Sequence, residues 1–130
     1  MQKTLSELTV ADVMLRRPKT LRSAATVGEV RAMLGNPSVQ MVLLADGARF
    51  RGAITAIPDD APDEQDALRF ADQHPQSLHA GEPAQTAFDV TAKNPHRRVI
   101  VLGDEDELVG LVCLNEARTN FCGGTHRDPS

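Results

Sequence analysis

The sequence predicts a mixed α/β (α+β) fold built from two copies of one repeat, and three observations predict it. Helix-capping signals alternate with short apolar strand patterns along the whole chain. Those signals recur in the same order 57 residues later: Pro18 answers to Pro75, Thr20 to Ser77, Leu21 to Leu78, and Val42-Leu43-Leu44 to Val99-Ile100-Val101. Finally, each half of the 130 residues is short, and about 60 residues bury only about 60% of their unfolded surface. The expected architecture is therefore two pseudo-twofold-related helix-strand-helix-strand-strand-helix repeats packed sheet to sheet. The first repeat spans 1–62, the second 63–122, and a flexible tail follows over 123–130.

Taken in order, Thr9 stands three residues before Asp12 and ahead of Val13-Met14-Leu15, which starts a short helix that must stop before Pro18. Thr26-Val27-Gly28-Glu29 is a stronger capping box, followed by one apolar helical face, Val27, Val30, Met33 and Leu34. Gly35-Asn36-Pro37 ends that helix. Val39 to Ala45 reads as a buried strand, Asp46-Gly47 as a tight turn, and Phe50 to Ile57 as the partner strand. Pro58-Asp59-Asp60-Ala61-Pro62 is a linker, after which Asp63-Glu64-Gln65-Asp66 places negative charge in the first turn of a third helix. In the second copy Pro83 opens a helix that buries Ala84, Ala87, Phe88 and Thr91. Gly110 follows Gly52 by 58 residues, so the turn at Gly103-Asp104-Glu105-Asp106 carries one residue more than its counterpart.

Composition removes several function classes. With 41% apolar and 25% charged residues the chain has the makings of a packed core. Four phenylalanines and no Trp or Tyr argue against a base-stacking platform, and a net charge of −4 argues against nucleic acid or anionic lipid as partner. No apolar run approaches the ~18 residues of a membrane span, and the first residues lack an apolar signal core, so a soluble cytoplasmic protein is expected. Cys113 and Cys122 are expected to be reduced thiols. His74, His79, His96 and His126 do not fall at ligand spacings, so no metal is expected. Neither a phosphate loop of the GxxxxGK[ST] type nor a catalytic constellation is present, and the expectation is that the chain is not an enzyme.

The motifs resemble a family. Val10-Ala11-Asp12-Val13-Met14, Pro18-Lys19-Thr20-Leu21, Ala25-Thr26-Val27-Gly28-Glu29-Val30 and Gly52-Ala53-Ile54-Thr55 in the first copy are similar to the tandem cystathionine β-synthase (CBS) domain pair, or Bateman module. So are Val99-Ile100-Val101-Leu102, the acidic turn and Leu108-Val109-Gly110-Leu111-Val112 in the second, and the resemblance covers roughly Leu8 to Phe121. It implies a disc of two repeats, commonly doubled into a homodimer, with clefts between repeats that hold an adenosine-containing ligand. AMP, ADP, ATP, S-adenosylmethionine and NADH are all admissible, and no cofactor is required.

Site residues follow from the same resemblance. The family pattern ends each last strand with Gly, two apolar residues, Thr or Ser, two residues and Asp, a hydroxyl and carboxylate suited to a phosphate or ribose. The first copy keeps Thr55, but Pro58 stands where Asp is expected and Asp59 comes one residue late. The second puts Cys113 for the hydroxyl and Glu116 for the carboxylate. His96 and Arg97 are similar to the phosphate-facing pair in the γ subunit of AMP-activated protein kinase, and an imidazole beside a guanidinium is a sensible phosphate clamp. Thr20 and Ser77 match positions that touch the adenine base. Each of these residues also reads as a local cap, a strand hydroxyl bonded to backbone or a solvated charge. The expected function is a stand-alone regulatory module that binds an adenosine-type molecule and signals to an unknown regulated protein. The alternative is a ligand-free dimerisation or protein-interaction module.

Overall fold

Two units divide the chain, Lys19–Pro75 and a second made of the residues up to Pro18 together with those from Gln76 onward. The computed structural model describes residues 5, 7–37 and 39–122. The expected tail over 123–130 lies outside the described residues.

In the unit 19–75, strand β2 (Thr20–Leu21) runs parallel to β3 (Val42–Asp46), and β3 turns back antiparallel into β4 (Arg49–Ile54). Helix α2 (Val27–Leu34) starts where the sequence says: Thr26 accepts from the Glu29 amide at 3.3 Å, and the Glu29 carboxylate accepts from the Thr26 amide at 2.7 Å. Its face buries Val30 against Val42, Leu44 and Ile54. At the hairpin, Asp46 accepts from the Ser23 hydroxyl at 2.7 Å, the Ser23 amide at 3.1 Å and Arg51 Nη1 at 3.0 Å. The Ser23 hydroxyl, its amide and the Arg51 charge hold that carboxyl below the usual carboxylate range.

The other unit holds α1 (Val10–Val13), β1 (Leu15–Arg16), β5 (Ser77–Leu78), α3 (Ala84–Ala92), β6 (Arg98–Leu102) and β7 (Leu108–Cys113). Its sheet has the order β1-β7-β6-β5. The register repeats that of the first sheet. Thr20 faces Leu43 and Ser77 faces Ile100, while Leu44 faces Gly52 and Val101 faces Gly110. Each hairpin carries a bulge just after the latter pair, at Leu44/Ala45 and Val101/Leu102. The 57-residue spacing is therefore a spacing of equivalent backbone positions.

The packed units do not follow the chain order of the repeats. Segment 8–16 packs on the second repeat: the Val10 amide donates to Glu82 O at 2.8 Å and the Ala84 amide to Leu8 O at 2.8 Å. Val10, Val13 and Met14 enter one core with Ala84, Ala87, Val99, Val101 and Leu114. The linker 63–72 makes the matching contacts on the first repeat, with the Ala67 amide on Ala25 O at 2.9 Å and the Val27 amide on Gln65 O at 2.8 Å. This explains why the expected third helix shrinks to a 3-10 turn at Ala67–Phe70. The carbonyls of Asp63 and Gln65 are committed to α2's first amides, and Asp66 stays extended opposite Thr26.

Glycine is needed where each crossing segment passes over the sheet. A Cβ on Gly110 would lie 2.6 Å from Met14 Sδ and 2.8 Å from Leu15 O, and one on Gly52 would lie 2.6 Å from Ala71 Cβ.

The expectation of reduced thiols is overturned, because Cys113 and Cys122 form a disulfide with Cα atoms 5.1 Å apart. The physical reason is a turn that the sequence pattern did not reveal. Leu114 bridges Phe121, the Asn115 amide donates to Asn120 O at 2.9 Å, and Phe121 packs edge-on against Phe88 with ring centroids 5.7 Å apart. The chain thus returns to the end of β7.

One core position carries a polar group. Thr91 is fully buried in α3, and its hydroxyl finds no hydrogen-bond partner among the described residues. The equivalent residue of the first repeat is Leu34. Thr91→Val keeps the shape and removes the orphaned hydroxyl, so we expect a gain of about 1 kcal/mol, read as a higher urea midpoint at unchanged m-value. An unchanged or lower midpoint would show that the hydroxyl is satisfied.

Candidate functional site

The unit containing α3 concentrates charge at one end of its sheet, where β6 begins and β7 finishes. A turn opens β6: the His96 amide donates to Asn94 Oδ1 at 2.8 Å and the Arg97 amide to Asn94 O at 3.1 Å. Arg97 there takes φ 56°, a left-handed conformation that a residue with a Cβ adopts at a cost of about 1 kcal/mol. Its Nη1 donates to Leu114 O at 3.2 Å, and the Leu114 amide donates back to Arg97 O at 3.0 Å. Arg98 joins the same carbonyl: its Nη1 donates to Leu114 O at 3.4 Å and to Arg97 O at 3.1 Å. Burial, and then the neighbouring Arg97 charge, push the Arg98 guanidinium below its ordinary value. Arg97 forms no ion pair among the described residues.

Of the residues singled out in the sequence, His96, Arg97 and Cys113 meet at this sheet end, Cys113 lying opposite Arg98 in register. Glu116 is exposed on the turn beyond it, and Ser77 is exposed on β5 beside Ile100. Cys113 has its sulfur in the disulfide and presents no thiol proton. In the other unit, Thr20 on β2 and Thr55 just after β4 are both exposed at the end of the sheet where β3 begins. Asp59 does not join them. It sits in the linker that Arg31 holds down, with Arg31 Nη2 on the Pro58 and Asp59 carbonyls at 2.7 and 3.2 Å and Nη1 on the Asp63 carboxylate at 2.5 Å. A surface hollow lined by Gln65, Asp66, Leu68, Arg69 and Gln73 includes none of the candidate residues.

Two residues escaped the sequence reading as site members. Arg98 occupies the repeat position of Met41, so an arginine at an apolar register position was the available signal. Arg31 lay inside an otherwise ordinary helix, and nothing local pointed to the linker it grips.

Residues 68–120 match the model of the CBS domain. Among solved structures, the chain is similar to CBSX2 of Arabidopsis thaliana in complex with AMP, at 15% identity and TM-score 0.67 over 85% of this chain and 92% of that one. It has the fold of a tandem CBS pair. The CBS domain pair of protein MJ0100, solved with 5′-methylthioadenosine and S-adenosyl-L-methionine, is also similar, at 20% identity and TM-score 0.64 over 81% of this chain and 88% of that one. So is the CBS domain of a bacterial CNNM/CorC family Mg2+ transporter in complex with ATP, at 13% identity and TM-score 0.65 over 84% of this chain and 83% of that one. Among curated proteins, none matches the sequence. Among the described residues, no helix is long and apolar enough to cross a membrane, and no three His, Cys, Asp or Glu residues are grouped to hold a metal ion.

Proposed function

We propose that this CBS pair is a regulatory, non-catalytic module that binds an adenosine-type ligand and signals to a partner protein, with its phosphates at His96, Arg97 and Arg98. The observation that carries the reading is the convergence of two guanidinium groups on the single Leu114 carbonyl. Main-chain carbonyls, here those of His96, Arg97 and Leu114, are weaker counterparts for a guanidinium than an anion, and a phosphate would offer charge-assisted bonds. The left-handed φ of Arg97 supports it as well, since a glycine there would avoid the backbone cost but give up the guanidinium. AMP, ATP and S-adenosyl-L-methionine in the similar structures make adenosine compounds the first candidates. Ser77 and Glu116, in the same unit, are proposed base or ribose contacts; Thr20 and Thr55 are proposed to offer such contacts at the sheet end of the other unit, and a homodimer is the proposed assembly.

A thermal-shift screen against AMP, ADP, ATP, S-adenosylmethionine and NADH tests this. A ligand at 100 times its Kd stabilises by about 2.7 kcal/mol, several degrees in Tm for a chain of this size. Arg97→Gly is expected to abolish the shift while leaving the unliganded Tm equal or higher, and Arg51→Ala is expected to keep it. If Arg97→Gly keeps the shift, the phosphate assignment is wrong. A Tm unmoved by every compound favours the other reading, a ligand-free interaction module. Two departures support that reading: Pro58 replaces the first copy's carboxylate, and Cys113, locked in its disulfide, replaces the second copy's hydroxyl.

A further inference from the structure

In the unit 19–75, the segment that crosses the first repeat borders a surface hollow of about 390 Å³, lined by Gln65, Asp66, Leu68, Arg69 and Gln73. The backbone beneath these side chains is pinned at both ends. Gln65 O accepts from the Val27 amide at 2.8 Å and the Ala67 amide donates to Ala25 O at 2.9 Å, while Asp72 and Ala53 exchange amide bonds of 2.8 and 2.9 Å. Leu68, half-buried against the core, is the apolar part of the lining. The four polar side chains make no hydrogen bond or ion pair among the described residues. Asp66 precedes the 3-10 turn Ala67–Phe70 but does not cap it, the usual task of a short carboxylate there. Arg69 lies three residues on, where side chains of a 3-10 turn eclipse, yet the two do not pair. The other repeat shows the alternative. Its equivalent positions, 57 residues earlier, are Leu8, Thr9, Ala11, Asp12 and Arg16. There the Asp12 carboxylate accepts from the Thr9 amide and hydroxyl at 2.8 and 3.1 Å, and Arg16 Nη2 donates to Ala11 O at 3.4 Å. One crossing segment bonds its polar groups to itself. Its counterpart leaves a carboxylate, a guanidinium and two carboxamides around one hollow.

We propose that this hollow binds a free α-amino acid, its ammonium on the Asp66 carboxylate and its carboxylate on the Arg69 guanidinium. A ligand of one sign answers only one of these groups, whereas an α-amino acid carries both signs on a single carbon and makes charge-assisted bonds to each. The carboxamides of Gln65 and Gln73 both donate and accept, so a ligand side chain that does the same is matched best. Leu68 takes the methylene stem between. Glutamine meets all three conditions and is the probe of choice. The volume sits at the small end of ligand pockets, as a ligand of this size requires. With so few atoms to bury and so open a surface, the expected Kd is about 1 mM. The inference does not rest on the adenosine reading, whose residues are all different.

The full chain, isotope-labelled for amide resonances, is titrated with L-glutamine and with two probes that each lack one charge, N-acetyl-L-glutamine and L-glutamine amide. L-Glutamine is expected to give saturable shifts confined to the amides of 65–73, including the side-chain amides of Gln65 and Gln73. Each neutralised probe is expected to bind about tenfold more weakly, and L-leucine, with both charges but no carboxamide, about threefold more weakly. Asp66→Asn and Arg69→Ala change exposed side chains and are expected to keep the dispersed spectrum of the parent. The first is expected to bind L-glutamine and its N-acetyl form alike, the second L-glutamine and its amide alike, because each variant lacks the partner of the missing charge. Shifts still linear at about 50 mM L-glutamine overturn the site. Equal affinity for all three glutamine probes overturns the zwitterion, and variants that discriminate as the parent does overturn the placement of its charges. L-Leucine binding as tightly as L-glutamine overturns the role of the two carboxamides. AMP that displaces L-glutamine from 65–73 also overturns the proposal, since the hollow would then belong to the adenosine ligand.

Discussion

Gly110→Val is expected to cost about 3 kcal/mol of stability, the upper end of what overpacking a well-filled site costs. A single Cβ at this position already falls 2.6 Å from Met14 Sδ and 2.8 Å from Leu15 O. The sulfur ends a flexible side chain and has some freedom to swing away. The carbonyl belongs to β1, whose Leu15 and Arg16 pair with Leu111 and Gly110, so it moves only if that pairing moves. Two more methyl groups add bulk to a position where one Cβ already overlaps the crossing segment. A smaller loss is expected for Gly110→Ala. Gly81→Ala is the control: nothing lies within 4 Å of its Cβ, its φ is not positive, and a neutral or slightly stabilising effect follows. Urea unfolding followed by far-ultraviolet circular dichroism gives the midpoints. A valine variant that unfolds where the parent does would show that 14–16 does not pass over β7 as described.

Much of the fold was legible because its signals are local. Thr26 with Glu29 and Thr9 with Asp12 are capping pairs whose chemistry acts within one turn of helix: the first forms in both directions, and in the second the Asp12 carboxylate accepts from the Thr9 amide at 2.8 Å. The repeat was legible because equivalent backbone positions demand equivalent residue types, down to the glycines at 52 and 110. Strand ends were less so: β4 stops at Ile54, not Ile57, because β3 begins only at Val42 and offers no further ladder partner. The exchange of opening segments was not legible. Val10, Val13 and Met14 announce an apolar face, but nothing in that face says which repeat it covers. The disulfide was hidden for a related reason, since its partners meet only through the turn at 115–120, whose bonds come from Asn115 and Arg118 rather than from a turn dipeptide. For the candidate site, Arg97 was readable from its neighbours, whereas Arg98 looked like one more solvated cation until the strand register placed it beside Leu114 O.

Cutting the chain by packed unit rather than by repeat is expected to give opposite folding outcomes. The piece Lys19–Pro75 contains every residue of its core, from Ala25 and Val30 to Ala67 and Leu68. It is expected to give dispersed amide resonances and a cooperative, if shallow, unfolding curve. The piece 76–122 lacks Val10, Val13 and Met14, which are at most 4% exposed in the intact chain. Burying three such side chains is worth about 6 kcal/mol, as much as the whole stability of many small domains. That piece is therefore expected to be unfolded alone and to gain dispersed resonances when a peptide of residues 5–18 is added at a concentration above its Kd. Pieces cut at the repeat boundary, 1–62 and 63–122, each carry the opening segment that packs on the other repeat. Neither is expected to fold as well as 19–75. A folded 63–122 that ignores the added peptide would mean that residues 63–72 serve the second repeat as well as residues 8–16 do, and that the exchange is a choice between near-equal partners. The unlike residues argue otherwise, since Met14 and Val10 fill the second core where Ala71 and Ala67 meet the first.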